Sequence, residues 1–159
     1  MQKITPFLWF DNQAEEAVAF YCATFRNAVA GGVTRYPEGT PGRAGSVMTA
    51  SFTLEGLPFT ALNGGPYYQF SGAISFLVRC ADQAEVDELW DRLAADGKPH
   101  QCGWVTDRFG VTWQVVPAEM MELLGRGDAA ANGRLMQAMM PMVKLDMPAL
   151  RRAWDGAPA

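Results

Sequence analysis

His100, Cys102, Asp107 and Gln114 are the residues of this 159-residue chain whose types and spacing could do chemistry. A thiol two positions from the chain's one histidine could form a Cys–His pair, the arrangement that activates a sulfur nucleophile. Positions i and i+2 of a strand share a face, but a kink in the loop Gly97-Lys98-Pro99-His100 would separate them. The plain alternatives are a surface loop histidine beside Lys98 and a small buried hydrophobe at Cys102. Asp107 is a candidate acid or base that also stands where a sharp turn calls for aspartate. Gln114 is an amide set among apolar neighbours, and at that depth it must find partners or face a cavity.

The elements that position these residues follow from alternation. Residues 101–116 read as two strands of alternating Trp, Val and Thr joined by the turn Asp107-Arg108-Phe109-Gly110. Residues 4–10 form a short apolar strand limited by Pro6. Ala14, Ala17, Val18, Tyr21, Cys22 and Phe25 then recur at helical spacing, with Glu15 and Glu16 in the first turn. A weak strand at 33–36 precedes a Gly/Pro loop at 37–45, and residues 46–54 and 58–63 make a hairpin around Glu55-Gly56. Ile74-Ser75-Phe76-Leu77-Val78 then echoes residues 4–8, Gln83-Ala84-Glu85 echoes Gln13-Ala14-Glu15, and Val86, Leu89, Trp90 and Leu93 mark a second amphipathic helix. Self-similarity at about 70 residues indicates a duplicated supersecondary unit. Residues 120–154 are rich in Met and Leu at helical spacing, broken by Pro141 and Pro148. They predict two or three short helices that cover a sheet or a partner subunit, with a methionine-lined groove as the alternative.

Composition narrows the function classes. A net charge of -4 and a pI near 4.9, with 13 Lys and Arg spread thinly, argue against nucleic acid. Cys22, Cys80 and Cys102 are too few and too scattered for a disulfide framework or a structural zinc site. No apolar run approaches about 18 residues, so no membrane partner is expected and a cytoplasmic protein is the simplest expectation. Neither Gly-x-Gly-x-x-Gly nor Gly-x-x-x-x-Gly-Lys-Ser/Thr occurs, which leaves nucleotide binding unsupported.

Two copies of strand–helix–three strands, with Phe20-Tyr21 closing the first helix and Asp107 to Gln114 near the end of the second copy, resemble the vicinal oxygen chelate superfamily of glyoxalases, bleomycin-resistance proteins and extradiol dioxygenases. Phe59-Thr60-Ala61-Leu62-Asn63-Gly64-Gly65, Ile74-Ser75-Phe76, Gln101-Cys102-Gly103-Trp104 and Trp113-Gln114 are similar to the PhnB-like branch, often labelled demethylubiquinone methyltransferase-like. The likeness runs from about residue 4 to residue 117. It implies an α+β fold of two paired βαβββ modules, whose curled mixed sheets enclose a shared cavity, plus C-terminal helices. The expected organisation is a single domain over 1–159, with modules at 1–65 and 73–117 and a helical extension at 118–159.

In metal-dependent members of the superfamily, four inward side chains, mostly His and Glu, hold a divalent ion. The matching positions here are Pro6, Leu62 (or its neighbours Ala61 and Asn63), Ser75 and Gln114, which predicts no metal and no cofactor. Methyl transfer would ordinarily use a glycine-rich turn in a doubly wound sheet, a different architecture. The expected function is therefore binding of a small apolar or aromatic molecule in a metal-free cavity. Asn63, Ser75 and Gln114 supply polar orientation, and Leu8, Phe10, Leu77 and Thr112 line the cavity by alternating in phase with them. The alternatives are a metal-independent enzyme (isomerase, lyase or group transfer) using Cys102 or Asp107, and a ligand-free structural dimer. A homodimer is the expected assembly.

Overall fold

The computed structural model describes residues 3–157, which divide into two compact units between Phe70 and Ser71. The first is built in the order β1 (Phe7–Phe10), α1 (Ala14–Thr24), β2 (Ala28–Arg35), β3 (Val47–Leu54) and β4 (Leu57–Asn63). The second repeats it with β5 (Phe76–Cys80), α2 (Gln83–Ala94), β6 (Lys98–Pro99), β7 (Trp104–Thr106) and β8 (Thr112–Pro117). The chain ends in α3 (Ala118–Gly125), α4 (Ala129–Met139) and α5 (Met147–Asp155). The sheets have the same strand order, β1-β4-β3-β2 and β5-β8-β7-β6. In each, the first and last strands pair in parallel and the others antiparallel. This is the α+β architecture of two βαβββ modules with C-terminal helices that the sequence predicts.

Each sheet packs its helix on one face, and the register says which residues share it. In the first unit Leu8 lies opposite Ala61 and Phe52 opposite Phe59. Tyr21 of α1 stacks on Phe52, and Phe52 on Phe59, so this is the helix side, with Leu8, Phe10, Ala50 and Ala61 buried on it. In the second unit α2 packs against β5, β7 and β8 and buries Val86, Leu89, Trp90 and Leu93. Val105, Trp113 and Val115 are buried with them, two of them directly paired in the ladder. Burial on this scale, about 1.5–3 kcal/mol for each large apolar side chain, is what holds helix to sheet.

The C-terminal helices belong to the second unit. Met120, Leu123, Ala131, Leu135, Leu145, Met147, Leu150 and Trp154 form a core with Val116 of β8. The segment before α5 is also bound by main-chain polar groups. Cys102 N–H donates to Met142 O at 2.7 Å, Gly103 N–H to Val143 O at 2.9 Å, and Gln83 both donates to Leu145 O and accepts from Met147 N–H. The methionines are thus divided. Met120 and Met147 fill this core, whereas Met136 and Met140 remain exposed.

Several strands differ from the sequence expectation: β1 starts at Phe7 rather than at residue 4, and β5 runs Phe76–Cys80 rather than 74–78. β2 begins at Ala28, well before Val33, because Ala28-Val29-Ala30-Gly31-Gly32 carries little β propensity and is set by pairing with β3 through a bulge. The two-residue β6 was not expected, since Pro99 argues against a strand except at an edge, which is where it lies.

Candidate functional site

Alternation along β7 and β8 divides their side chains between two faces. Val105, Trp113 and Val115 go to α2, so Trp104, Thr106, Thr112 and Gln114 go to the other side. The register places Trp104 opposite Gln114, Thr106 opposite Thr112 and Leu77 of β5 opposite Gln114. Gln114 Nε2 donates to Ser75 Oγ at 2.8 Å, so the amide among apolar neighbours finds its partner just before β5. Farther across the sheet, Thr112 Oγ1 lies 3.3 Å from Thr106 Oγ1, which lies 2.9 Å from His100 Nε2. These three side chains form one hydrogen-bonded row, bridging β8, β7 and the residue after β6.

A cavity of about 460 Å³ adjoins this row. It is lined by Gly72, His100, Gln101, Cys102, Trp104, Thr106 and Thr112, which give it an aromatic wall, hydroxyls, an imidazole and a thiol, with no fixed charge. That combination of apolar surface with a few convergent polar groups is the usual make-up of a small-molecule site, and the volume lies within the usual range.

The predicted site residues separate by position. Ser75, Leu77, Thr112 and Gln114 belong to the side of the second sheet away from α2 or its margin, and Leu77 is substantially exposed. Leu8 and Phe10 are buried on the α1 side of the first sheet. Asn63 points the same way: its Oδ1 accepts the N–H of Ala14 at 2.8 Å and its Nδ2 donates to Val47 O at 3.1 Å. These three are in phase with one another. Thr49, Leu62 and Trp9, which share a row of the same sheet, stand on its opposite face.

Asp107 is a turn-former in this structure. It is buried, and its carboxylate accepts the N–H groups of Phe109 and Val111 on Oδ1 and the indole N–H of Trp113 on Oδ2 at 2.8 Å. The turn that reverses β7 into β8 is tied to the core by this single side chain. Cys102 occupies a left-handed backbone conformation, φ 61°, one residue before Gly103 at φ 76°. Its thiol lies 3.7 Å from Met140 O and 3.9 Å from Met139 O, while the His100 imidazole is bonded to Thr106. The two side chains that their spacing puts side by side are thus engaged with different partners.

Thr106 and Gln101 are the lining side chains that the sequence does not single out. Thr106 and Thr112 flank the turn symmetrically, and that symmetry is the signal: residues equidistant from a hairpin turn become cross-strand neighbours. Cys80, at the end of β5, is the most perturbed thiol. Burial, with Glu85 and Asp82 nearby, pushes it up to about 12, so it is an inert core group.

Residues 2–116 match the family model described as 3-demethylubiquinone-9 3-methyltransferase. The chain belongs to this family. It is the PhnB-like branch of the vicinal oxygen chelate superfamily. A putative 3-demethylubiquinone-9 3-methyltransferase, PhnB protein, from Bacillus cereus is 36% identical, with a TM-score of 0.67, over 74% of this chain and 100% of that one. PA1353 from Pseudomonas aeruginosa (23% identity, TM-score 0.59, 71% and 95% coverage) shares the fold. So does the fosfomycin resistance protein FosX from Listeria monocytogenes, solved with Mn(II) and sulfate (18% identity, TM-score 0.52, 79% and 98% coverage). No curated protein matches the chain.

The donor set for a divalent ion fails on its chemistry. Pro6, Leu62 and its neighbour Ala61 carry no side-chain donor, the Asn63 amide is bonded to Ala14 and Val47, and Ser75 and Gln114 are neutral groups bonded to each other. The residues of this PhnB-like chain at the superfamily's metal positions do not fit the ion.

Proposed function

We propose that this PhnB-like protein binds a small, largely apolar or aromatic molecule without a metal ion, against the side of β5, β7 and β8 turned away from α2. The observation that carries it is the grouping of Gln114, Ser75, Thr112, Thr106 and His100 in two hydrogen-bonded sets on that side, beside Trp104 and a cavity of about 460 Å³. A sheet face that merely met solvent would need no such ordered polar set, and one that met only core would be apolar. Ser75, Leu77, Thr112 and Gln114 are the site residues of this proposal, Thr112 in the cavity lining and the others on the same side of the sheet or at its margin; in the other unit Leu8 and Phe10 pack toward α1, and Asn63 borders a separate cavity of about 470 Å³.

The test is a ligand screen by protein-observed NMR with small aromatic fragments, in which the side-chain amide of Gln114 and the indole of Trp104 should shift together. Shifts confined to other regions overturn the assignment. Repeating the titration after adding and then chelating a divalent metal should leave the shifts unchanged.

The family description favours a second function, methyl transfer. Against it stand the two separate four-stranded mixed sheets, which lack the doubly wound arrangement and glycine-rich turn that ordinarily hold a methyl donor. Calorimetric titration with S-adenosylmethionine separates the two functions, and no heat of binding is expected. The homodimer goes with this proposal as an expectation, measured by native mass spectrometry.

A further inference from the structure

We propose that the cavity of the second unit takes a flat aromatic molecule bearing a hydroxyl group, the ring lying against Trp104 and the hydroxyl meeting Thr112 at the end of the His100–Thr106–Thr112 row. This rests on the binding proposed above and adds the class of ligand.

The lining sets the shape and charge of the ligand. With Trp104 as the one large apolar surface, and with neither carboxylate, guanidinium nor ammonium among the lining residues, a neutral ring is preferred over an ion. A volume of about 460 Å³ admits one or two fused rings.

The hydrogen-bonded row sets the polar group. His100 Nε2 is the end at the sheet edge, Thr106 Oγ1 the middle and Thr112 Oγ1 the buried end on β8, at 2.9 and 3.3 Å. Neutral imidazole presents Nε2 either as an acceptor or as a donor. In the first case Thr106 donates to His100 and Thr112 to Thr106, which leaves Thr112 to accept from a ligand. In the second case the sense reverses and Thr112 donates to the ligand. A ligand hydroxyl can both donate and accept, so it satisfies either arrangement, whereas a donor-only N–H leaves the Thr112 proton without an acceptor in the second.

The experiment compares 2-naphthol with naphthalene, the same two rings without the hydroxyl, by NMR titration. Both probes should shift the Trp104 indole signal. 2-Naphthol should bind about three- to tenfold more tightly, the worth of one hydrogen bond. Thr112→Val should remove that preference, checked on protein whose amide spectrum shows it folded, with Thr106→Val as the second variant. Equal affinity for the two probes, or unchanged 2-naphthol affinity in both threonine variants, overturns the hydroxyl assignment while leaving the binding function intact. If neither probe shifts Trp104, the binding function itself is overturned.

Discussion

Asn63 Oδ1 accepts the N–H of Ala14 at 2.8 Å, so the last residue of β4 caps the first turn of α1 across 49 positions of sequence. Gln13, the residue at the N-cap position, makes no side-chain cap bond of its own. The amide also reaches Val47 O, tying helix, β4 and the start of β3 together. A free helix end leaves several N–H groups without partners, and one supplied from a strand fixes the helix on its sheet.

Asn63→Ala should therefore lower stability by about 1–2 kcal/mol, through loss of the cap and of the donor to Val47. Gln13→Ala should change it by less than about 0.5 kcal/mol. Urea unfolding midpoints of the two variants measure the difference. Equal effects would show that the cap is not made from β4.

The buried Asp107 carboxylate invites a similar comparison. Asp107→Ala leaves two backbone N–H groups and the Trp113 indole N–H facing a void, and should cost about 2–4 kcal/mol. Asp107→Asn keeps one acceptor but turns an N–H₂ toward one of these donors, and should fall between the two. If both variants stay as stable as the native protein, these bonds do not hold the turn. Denaturant unfolding followed by tryptophan fluorescence decides between them.

The pattern of the sequence was enough for the doubled architecture, because apolar spacing distinguishes a strand near 74–78, found at Phe76–Cys80, from a helix after Gln83. It was also enough for the turn at Asp107 and for Thr112 and Gln114 sharing a face. It was not enough to say which face of one strand matches which face of another. Leu8, Phe10 and Asn63 alternate in step with one another, yet the stacking of Tyr21 on Phe52 assigns their side to α1, a tertiary fact with no local sign. Asn63 makes a cap that nothing near it in sequence announces, while it also borders a cavity of about 470 Å³ in the first unit. His100 is a loop residue as expected, yet Pro99 hides the two-residue edge strand that brings it beside Thr106. Single polar residues are the least legible, since their partners are chosen by the fold rather than by neighbours in the chain.

The C-terminal helices are expected to be inseparable from the second unit. Leu135→Ala and Leu150→Ala, each removing a fully buried side chain, should cost about 2–5 kcal/mol. Deleting residues 118–159 uncovers Val116 and releases the N–H groups of Cys102 and Gly103 from Met142 and Val143. The shortened chain should aggregate, which circular dichroism and sedimentation would reveal. A soluble, folded truncation would show that the tail is dispensable cover.

Lys144 and Asp87 form an exposed pair at 2.9 Å beside the Gln83 contacts that hold the tail. The hydrogen bonds from Lys144 and Gln83 hold the Asp87 carboxyl below its usual value, and the bond to Asp87 raises Lys144. The Asp87 contribution is present above the ordinary carboxylate range and is lost as pH falls through its lowered value. The Lys144 contribution is present below the ordinary lysine range and is lost as pH rises through its raised value. Both side chains are more than a third exposed, so the pair should contribute less than about 1 kcal/mol. Lys144→Met should flatten the acid limb of a stability–pH curve slightly and remove its salt dependence. An unchanged curve would show the pair to be energetically neutral.

Cys80 offers a probe of unfolding that is independent of any ligand. Its thiol is fully buried at the end of β5 and is pushed up to about 12 by burial first, with Glu85 and Asp82 adding to it. Folded protein therefore holds the proton that an unfolded chain gives up near the ordinary thiol value of 9.0, so stability is unaffected below that value and erodes as pH rises from there toward 12. Because the thiolate is the species that reacts, iodoacetamide at mildly alkaline pH should modify Cys102 or Cys22, both partly exposed, well before Cys80. Mass spectrometry of tryptic peptides should show Cys80 labelling at the rate of unfolding and accelerating with denaturant in step with it. Rapid labelling of Cys80 in folded protein would mean that β5 opens locally, and with it the strand that carries Leu77 opposite Gln114.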